Sequence, residues 1–243
     1  LAELSAAWKQ KANVKTVAVT GSNGKTTVKE MIAAILACNA KVLSTKGNLN
    51  NDIGVPLTLL SLQQQHQFAV VEMGANHSGE IAYSSQFAKP DVAVITNIGA
   101  AHIEGFGSLE ATARAKAEIF QSLSANGIAI LNIDDDFYSL WLELIGDQKR
   151  LSFGFDKAAD VRAEKVVSVF KNKAFATQFN LVSGTEVIVV RLKLAGEHNV
   201  KNALAAAASC LSMGITLKQI KQGLEELQSV TGRLQPLVGE FGN

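Results

Sequence analysis

The residues best suited to chemistry lie near the start of the chain, where a β-branched stretch leads into TGSNGKTT at residues 20–27. Its glycines permit a tight turn before a helix, and such a turn directs backbone N–H groups and a helix N-terminus at one place, which suits a chain of phosphates. Lys25 adds a positive charge for the terminal phosphates, and the Thr26 hydroxyl is a ligand for Mg²⁺. The predicted phosphate-binding residues are Gly21, Ser22, Asn23, Gly24, Lys25, Thr26 and Thr27.

This run departs from the usual phosphate-loop spacing, Gly-x-x-x-x-Gly-Lys-[Ser/Thr], because Val19 stands where the first glycine belongs. The alternative is an ordinary strand-to-helix turn with a chance Gly-Lys-Thr. The apolar strand before the turn and the amphipathic helix after it favour the phosphate loop.

Polar residues also follow two other apolar runs. Glu72 ends the run that starts at Phe68, and a carboxylate there can hold Mg²⁺, directly or through water, or can simply cap a loop. Asn97 and His102 follow the run that starts at Val92. His102 is a candidate metal ligand or orienting donor, although a histidine in a loop more often has no such role.

Lys116 lies in the middle of an apolar helical stripe. Helical spacing places on one face Leu109, Thr112, Lys116, Ile119, Phe120 and Leu123. Burial lowers the pKa of a lysine, and a neutral amine near Mg²⁺ can take up CO₂ and become a carbamate, an anionic metal ligand. Periodicity alone favours the alternative, in which the alkyl stem covers the core and the ammonium reaches Glu110, Glu118 or water.

Three further places have two interpretations each. The acids at 134–136 follow a strand, where they either contact a ribose or cap the next helix. Asn199 opens an alanine-rich helix and either reads an adenine edge or caps that helix. Arg233 either reaches the terminal phosphate or is a surface charge.

The elements that position these residues alternate between strand and helix. Strands are predicted at about 16–20, 41–44, 68–73, 91–97 and 128–132, and helices at about 2–12, 25–38, 54–62, 78–88, 108–123 and 137–145. Near-continuous apolar strands are typical of parallel sheets buried on both faces. From about 150 to 194 apolar and polar residues alternate, which predicts an antiparallel meander, and helices return at about 197–213 and 216–227. The predicted fold is α/β, a mostly parallel sheet with helices on both faces and a small antiparallel β appendage.

Composition excludes several classes of function. The 243 residues are 47% apolar and carry a net charge of +1, which gives no electrostatic footprint for nucleic acid or an anionic membrane. The two cysteines, Cys38 and Cys210, lie in apolar helical patterns and are predicted to be small core residues, so a reducing compartment is expected. No signal peptide or membrane-spanning run is present in this sequence, and a cytoplasmic protein without membrane insertion is predicted.

Taken together, the motifs resemble those of the Mur ligase family, the ATP-dependent amide ligases of peptidoglycan synthesis. The likeness is carried by TGSNGKTT at 20–27, by Glu72, by the Asn97, His102 and Lys116 stretch, and by GEHNVKNALAAAA at 196–208. Two segments, GNLNNDIGVPLTLL at 47–60 and EMGANHSGEI at 72–81, most resemble the members that add D-alanyl-D-alanine.

The resemblance implies a role for each matching position. The loop would hold ATP, with Thr26 and Glu72 on a first Mg²⁺ and with His102 and carbamylated Lys116 on a second. Asn199 would contact adenine, Arg233 the phosphates, and Asn50 and Asn51 the peptide substrate. Lys25, Lys116, His102 and Arg233 are therefore the implied catalytic residues. The implied substrates are UDP-N-acetylmuramoyl-tripeptide and D-alanyl-D-alanine, joined through an acyl phosphate by a monomeric enzyme.

The resemblance also implies a domain organisation. Residues 1–232 would form the central ATP-binding domain with a β insertion at about 150–194, and 233–243 would begin a C-terminal domain. The UDP-sugar-binding domain and most of the C-terminal domain would lie outside this sequence, so we expect the 243 residues to bind nucleotide without completing ligation. The alternatives are a ligase resembling folylpolyglutamate synthase, a phosphate-loop switch or binding module without ligation, and a scaffold. A guanine-specific switch would show Asn-Lys-x-Asp, whereas the Asn-Lys at Asn172 lacks the acid.

Overall fold

One mixed sheet runs through the protein. The structure, a computed structural model, describes residues 1–99, 106–171 and 174–227. The strand order is β2-β3-β1-β4-β5-β6-β7-β8-β9. The strands are β1 (Lys15–Thr20), β2 (Val42–Ser44), β3 (Phe68–Glu72), β4 (Val92–Ile95), β5 (Ile128–Asn132), β6 (Lys149–Gly154), β7 (Val161–Lys171), β8 (Ala174–Ser183) and β9 (Glu186–Leu192).

Helices cover both faces of the sheet. They are α1 (Ala2–Ala12), α2 (Lys25–Ala37), α3 (Gly54–Leu60), α4 (Glu80–Ala88), α5 (Leu109–Ala117), α6 (Tyr138–Ile145), α7 (Glu197–Leu211) and α8 (Leu217–Glu226), with a 3₁₀ turn at Glu118–Ser122. Side chains alternate across β1, so Val17 and Val19 pack in one core with α2, α7 and α8, while Ala18 packs in a second core with α3, α4 and α6. This arrangement confirms the predicted doubly covered sheet.

Parallel pairing brings the ends of the strands to one edge of the sheet. β1 lies between β3 and β4, and both neighbours run parallel to it. The register pairs Val19 with Glu72 and Thr20 with Ile95. The residues that follow β1, β3 and β4 therefore emerge side by side, and the predicted positions of these strands and of the helices between them are confirmed to within a few residues.

The predicted antiparallel meander at 150–194 was wrong in its first strand. β6 pairs in parallel with β5 over five residues and with β7 over two, and within the described ranges the antiparallel pairs are β7 with β8 and β8 with β9. Ser152 misled the alternation pattern: it is a buried polar residue whose N–H and hydroxyl both donate to Asp160 Oδ2 at 2.7 Å, so it does not mark a solvent face. The antiparallel strands continue the same sheet.

Three smaller expectations also needed correction. The predicted helix at 108–123 ends at Ala117 and continues as the 3₁₀ turn. Leu109, predicted on the apolar face, is 41% exposed. Cys210 is buried as predicted, whereas Cys38 is only half-buried at the end of α2. Among the described residues, none of the helices has both the length and the apolar content needed to cross a bilayer.

Candidate functional site

The turn between β1 and α2 has the backbone that its glycines predicted. Gly21 has φ +147°, and a β-carbon there would overlap the hydroxyl of Thr96. Gly24 has φ +80° and is the N-cap of α2, and a β-carbon there would overlap the side-chain oxygen of Asn202. Both positions therefore require glycine for conformation and for space. The first N–H groups of α2 have no acceptor within the helix, so they are available to an anion.

The end of β4 holds this loop in place. Ser22 N donates to Asn97 O at 2.8 Å, and Asn23 N donates to Asn97 Oδ1 at 3.1 Å. The carbonyl of Asn23 accepts from Thr96 Oγ1 at 2.6 Å and from Asn97 Nδ2 at 3.1 Å. The loop is thus fixed by a neighbouring strand, which preorganises its amides for a ligand.

Lys25 is folded back over the loop that it follows. Its ammonium donates to Gly21 O at 2.7 Å and to Ser22 O at 3.1 Å. These carbonyls hold the positive charge directly above the turn. A phosphate bound to the turn would meet an ammonium that is already close by.

Two cavities open on either side of the loop, and both are lined by Asn23 and Gly24. The first, here called the Glu72 cavity, has a volume of about 390 Å³. Its lining residues include Ser22, Lys25, Thr26, Asn50, Asn51, Glu72 and Glu80. The fold therefore brings together the loop, the acid that ends β3 and two of the three asparagines of the GNLNND segment, Asn50 and Asn51.

Glu72 is the acidic group best placed to hold a cation. Its side chain is 2% exposed, and Oε1 accepts from Asn50 Nδ2 at 2.9 Å. Oε2 is buried and has no hydrogen-bond partner among the described residues. A buried carboxylate oxygen without a partner is costly unless a ligand completes it. Together with the hydroxyl of Thr26 in the same cavity, it forms an oxygen donor set of the kind that fits Mg²⁺.

Asn50 and Asn51 have different local roles. Asn50 binds Glu72 through its side chain, and its carbonyl accepts from Gly74 N at 2.8 Å. Asn51 Oδ1 accepts from Gly54 N at 2.8 Å at the start of α3. Both line the Glu72 cavity, so the substrate-side position implied by the resemblance is geometrically available to them.

Lys116 is 1% exposed on α5. Burial, with the positive charge of Lys25 as a smaller cause, lowers the pKa of Lys116 to about 8. Its ammonium lies 5.6 Å from the ring centroid of Phe106. Neither of the two acids predicted as partners of this ammonium binds it. Glu110 pairs with Arg114 at 2.8 Å. The carboxylate of Glu118 accepts hydrogen bonds at the start of α4, from Ser78, Gly79 and Ala82. Within the described ranges, Lys116 forms no ion pair with a carboxylate.

The second cavity, here called the Asn199 cavity, has a volume of about 460 Å³ on the other side of the loop. Asn199 is 5% exposed there. Its Nδ2 donates to Ala195 O at 2.7 Å and lies 3.1 Å from His198 Nε2. The helix-cap interpretation of Asn199 was wrong, because Gly196 is the N-cap and the Asn199 amide donates to a carbonyl before the helix.

The acids at 134–136 line the Asn199 cavity. Asp134 accepts from Phe155 N at 2.9 Å and pairs with Lys201 at 3.1 Å. Asp135 accepts from Ile98 N at 2.8 Å and from Phe137 N at 3.1 Å. Burial raises the pKa of Asp135, while these backbone hydrogen bonds oppose that rise. The cap of α6 is Phe137, without a side-chain cap bond, so the carboxylates do not cap that helix in the usual way.

Two predicted site residues, His102 and Arg233, lie outside the described residues. The sequence interpretation missed three contributors: Thr96, which braces the loop; Asn202, which abuts Gly24; and Lys29, which is buried and donates to Thr45 O. Asn202 stands three residues after Asn199 on one helical face, and that spacing was an available signal. Lys29 stands four residues after Lys25, a spacing that also places the two residues on one face of a helix.

Comparison with known proteins connects this geometry to a family. Residues 19–210 match the model of the Mur ligase middle domain, a range that contains the loop, Glu72, Lys116 and Asn199. The chain belongs to the Mur ligase family. Among curated Mur ligases, the UDP-N-acetylmuramoyl-tripeptide--D-alanyl-D-alanine ligase of Escherichia coli (strain K12) is 48% identical over 236 residues, which are 97% of this chain and 51% of that protein. The Bacillus subtilis (strain 168) protein of the same name is 36% identical over 242 residues, covering 100% of this chain and 51% of that protein.

Solved Mur ligase structures agree with the fold. A crystal structure of MurF from Acinetobacter baumannii superposes with a TM-score of 0.92 at 43% identity, covering 96% of this chain and 51% of that one. MurF from Thermotoga maritima, solved in complex with ADP, has a TM-score of 0.81 at 29% identity, covering 96% of this chain and 52% of that one. The chain therefore spans about half the length of the Mur ligases that it matches.

Proposed function

We propose that the protein carrying this chain is an ATP-dependent amide ligase of peptidoglycan precursor synthesis that joins D-alanyl-D-alanine to UDP-N-acetylmuramoyl-tripeptide. The observation that carries the proposal is the phosphate loop beside Glu72, whose Oε2 is buried without a hydrogen-bond partner in the part of the chain that the structure describes. The relatives named for this reaction, whose matches cover 97% and 100% of this chain, supply the substrates.

The proposed chemistry has two steps. A carboxylate oxygen of the tripeptide attacks the γ-phosphorus of ATP, the bond to ADP breaks, and an acyl phosphate forms. The amine of D-alanyl-D-alanine then attacks the acyl carbon, phosphate leaves, and the nitrogen loses its proton. The first step brings two anions together, so positive charge must offset their repulsion.

The residues of this chain divide that task. The loop amides from Gly21 to Thr27 bind the phosphates, and Lys25 neutralises charge at the β- and γ-phosphates. Thr26 and Glu72 would hold a first Mg²⁺, which when bound stabilises charge on the transferring phosphoryl group. Asn50 and Asn51 orient the peptide side. Asn199 contacts the adenine in its own cavity.

Lys116 and His102 would serve a second Mg²⁺. The support from this chain is a buried amine with a lowered pKa and no carboxylate partner within the described residues. A larger neutral fraction at physiological pH favours uptake of CO₂, and the resulting carbamate would be an anionic ligand. Arg233 is proposed to reach the phosphates.

The proposed protein is larger than this chain. Its relatives are about twice as long, and residues 19–210 match a middle-domain model, so we propose residues 1–232 as a central ATP-binding domain and 233–243 as the start of another. We propose a cytoplasmic monomer, in keeping with two unpaired cysteines and a net charge of +1. Analytical ultracentrifugation of the longer protein tests whether it is a monomer, and sedimentation as a dimer or larger species would contradict this part of the proposal.

The decisive assay offers the longer protein two substrate pairs. UDP-N-acetylmuramoyl-tripeptide with D-alanyl-D-alanine should release ADP and phosphate and yield the amide, whereas folate with glutamate should not. The 243-residue chain alone should bind magnesium-ATP without forming amide. Turnover with folate, or binding without ligation by the longer protein, would contradict the proposal.

A further inference from the structure

Lys29 is a charged residue buried in α2. Its side chain is 1% exposed, and its ammonium donates to Thr45 O at 2.7 Å. The same nitrogen lies 2.7 Å from Glu30 Oε1, on a side chain that is 35% exposed. Burying an ammonium carries a large desolvation cost, which these two partners offset. An apolar side chain would fill this core position without the desolvation cost. Lys29 therefore needs a role other than filling space.

Thr45, the residue that Lys29 contacts, is connected directly to Glu72. It is 1% exposed, and its N–H donates to Val70 O at 3.0 Å. Its hydroxyl accepts from Glu72 N at 3.0 Å. Lys29 is therefore hydrogen-bonded to the main-chain carbonyl of Thr45, and the side-chain hydroxyl of Thr45 is in turn hydrogen-bonded to the main-chain N–H of Glu72.

The segment that begins at Thr45 also returns to the carboxylate of Glu72. Asn50 Nδ2 donates to Glu72 Oε1 at 2.9 Å, and Gly74 N donates to Asn50 O at 2.8 Å. Residues 45–50 thus contact Glu72 at both its backbone and its side chain. A shift of Thr45 would move both contacts.

We propose that Lys29 is a positioning residue that sets the orientation of Glu72 toward the metal through Thr45 and the 45–50 segment. Lys29 itself touches no reacting group. The inference rests on the proposed function, because it takes Glu72 as a ligand of Mg²⁺. Groups behind a metal ligand that fix its direction typically change metal affinity by about 10- to 100-fold when removed.

A purely structural role makes a different prediction. If Lys29 only stabilised the fold, its loss would lower the free energy of unfolding and leave the folded site unchanged. A positioning role lowers the affinity of the folded protein for the metal while sparing the phosphate contacts of the loop. The ratio of nucleotide affinities with and without metal separates the two roles.

The test is calorimetric titration of the 243-residue chain with ADP, in the presence of Mg²⁺ or of EDTA, at a temperature where each variant is folded. In Lys29→Met the metal-dependent gain in affinity should fall about tenfold, while the metal-free affinity stays within about twofold. Titration with Mn²⁺ followed by electron paramagnetic resonance should show the same loss directly. Lys29→Gln, which keeps a polar amide but is too short to reach Thr45 O, should behave similarly and is used if the Met variant does not fold.

Two controls bracket the result. Glu30→Gln removes the ion pair but keeps the donation from Lys29 to Thr45, so the metal-dependent gain should persist. Leu224→Ala empties core volume in α8, at a residue that takes no part in the Lys29–Thr45–Glu72 hydrogen bonds, and should lower stability without changing that gain. An unchanged gain in both Lys29 variants would overturn the inference. No metal-dependent gain in the wild-type chain would instead overturn the proposed function.

Discussion

Asn50 Nδ2 donates to Glu72 Oε1 at 2.9 Å and leaves Oε2 of the same carboxylate buried without a protein partner among the described residues. The two residues come from different segments that meet beside the phosphate loop. One oxygen is thereby fixed by the protein, and the other remains for a ligand. The hydrogen bond to Oε1 fixes the orientation of the Glu72 carboxylate, which is what a metal ligand requires.

Glu72→Gln should therefore separate metal-dependent from metal-free binding. The amide has the same shape but is a poorer ligand, so the affinity for nucleotide with Mg²⁺ should fall by about tenfold or more. Without metal the affinity should stay equal or rise, because a negative charge beside the phosphates is gone. Calorimetry with Mg²⁺ and with EDTA measures both. Equal losses under both conditions would show that Glu72 supports the loop instead of a metal.

Gly21→Ala should disrupt the loop more than a glycine replacement at an open position. The added methyl would overlap Thr96 Oγ1, the group that braces Asn23, so a loss of more than about 2 kcal/mol in the free energy of unfolding is expected. Gly47 also has a positive φ, +56°, but a β-carbon there would have no described atom within 4 Å apart from those of its chain neighbours. Gly47→Ala should cost only about 1 kcal/mol. Urea unfolding compares the two, and equal costs would mean that the contact with Thr96 is unimportant.

Lys116 should make stability depend on pH in the alkaline range. Its folded-state pKa of about 8 lies below the unfolded value near 10.4, so the unfolded chain binds more protons between them. Below about pH 8 the full cost of burying the ammonium is present, and it is relieved as pH rises toward 10.4. Lys116→Met should thus stabilise the protein most below pH 8, by up to about 3 kcal/mol, and less at pH 10. A stability difference that does not change with pH would contradict the lowered pKa.

The carbamate proposed on Lys116 has its own signature. With ¹³C-labelled bicarbonate, the wild-type chain should show a carbamate resonance that Lys116→Met lacks. In the longer protein, Lys116→Ala should abolish ligation, with partial rescue by a small carboxylate that replaces the lost ligand. A missing resonance together with no rescue would favour a lysine that only packs against the core.

The sequence was sufficient to predict the parallel strands up to β5, but it was insufficient to assign β6, where the parallel strands meet the antiparallel ones. Short apolar runs such as that of β3 predict strands buried on both faces, and the structure has them. β6 could not be assigned correctly because Ser152 has a polar side chain in a buried position, and its partner Asp160 lies across a turn. A pattern of residue types does not show which polar residues are already paired.

The site was predicted residue by residue, and its internal contacts were not. The loop motif and Glu72 could be named from local patterns and Asn50 and Asn51 from the family resemblance, and the structure places them around one cavity. The contacts of Asn50 with Glu72 and of Thr96 with Asn23 join residues 22 and 73 positions apart. Such contacts depend on the register of the sheet. Helical spacing predicted the burial of Lys116, but it could not show that Glu118 is occupied by α4.

The most direct measurement is calorimetry of magnesium-ATP with the 243-residue chain and with its Lys25→Ala variant. Lys25 Nζ now donates to Gly21 O and Ser22 O, directly above the turn where the phosphates are proposed to bind. The wild-type chain should bind with measurable heat, and removing the ammonium should weaken binding by at least about tenfold. Absence of binding by the folded wild-type chain, or equal affinity in the two proteins, would contradict a phosphate-binding role for this loop.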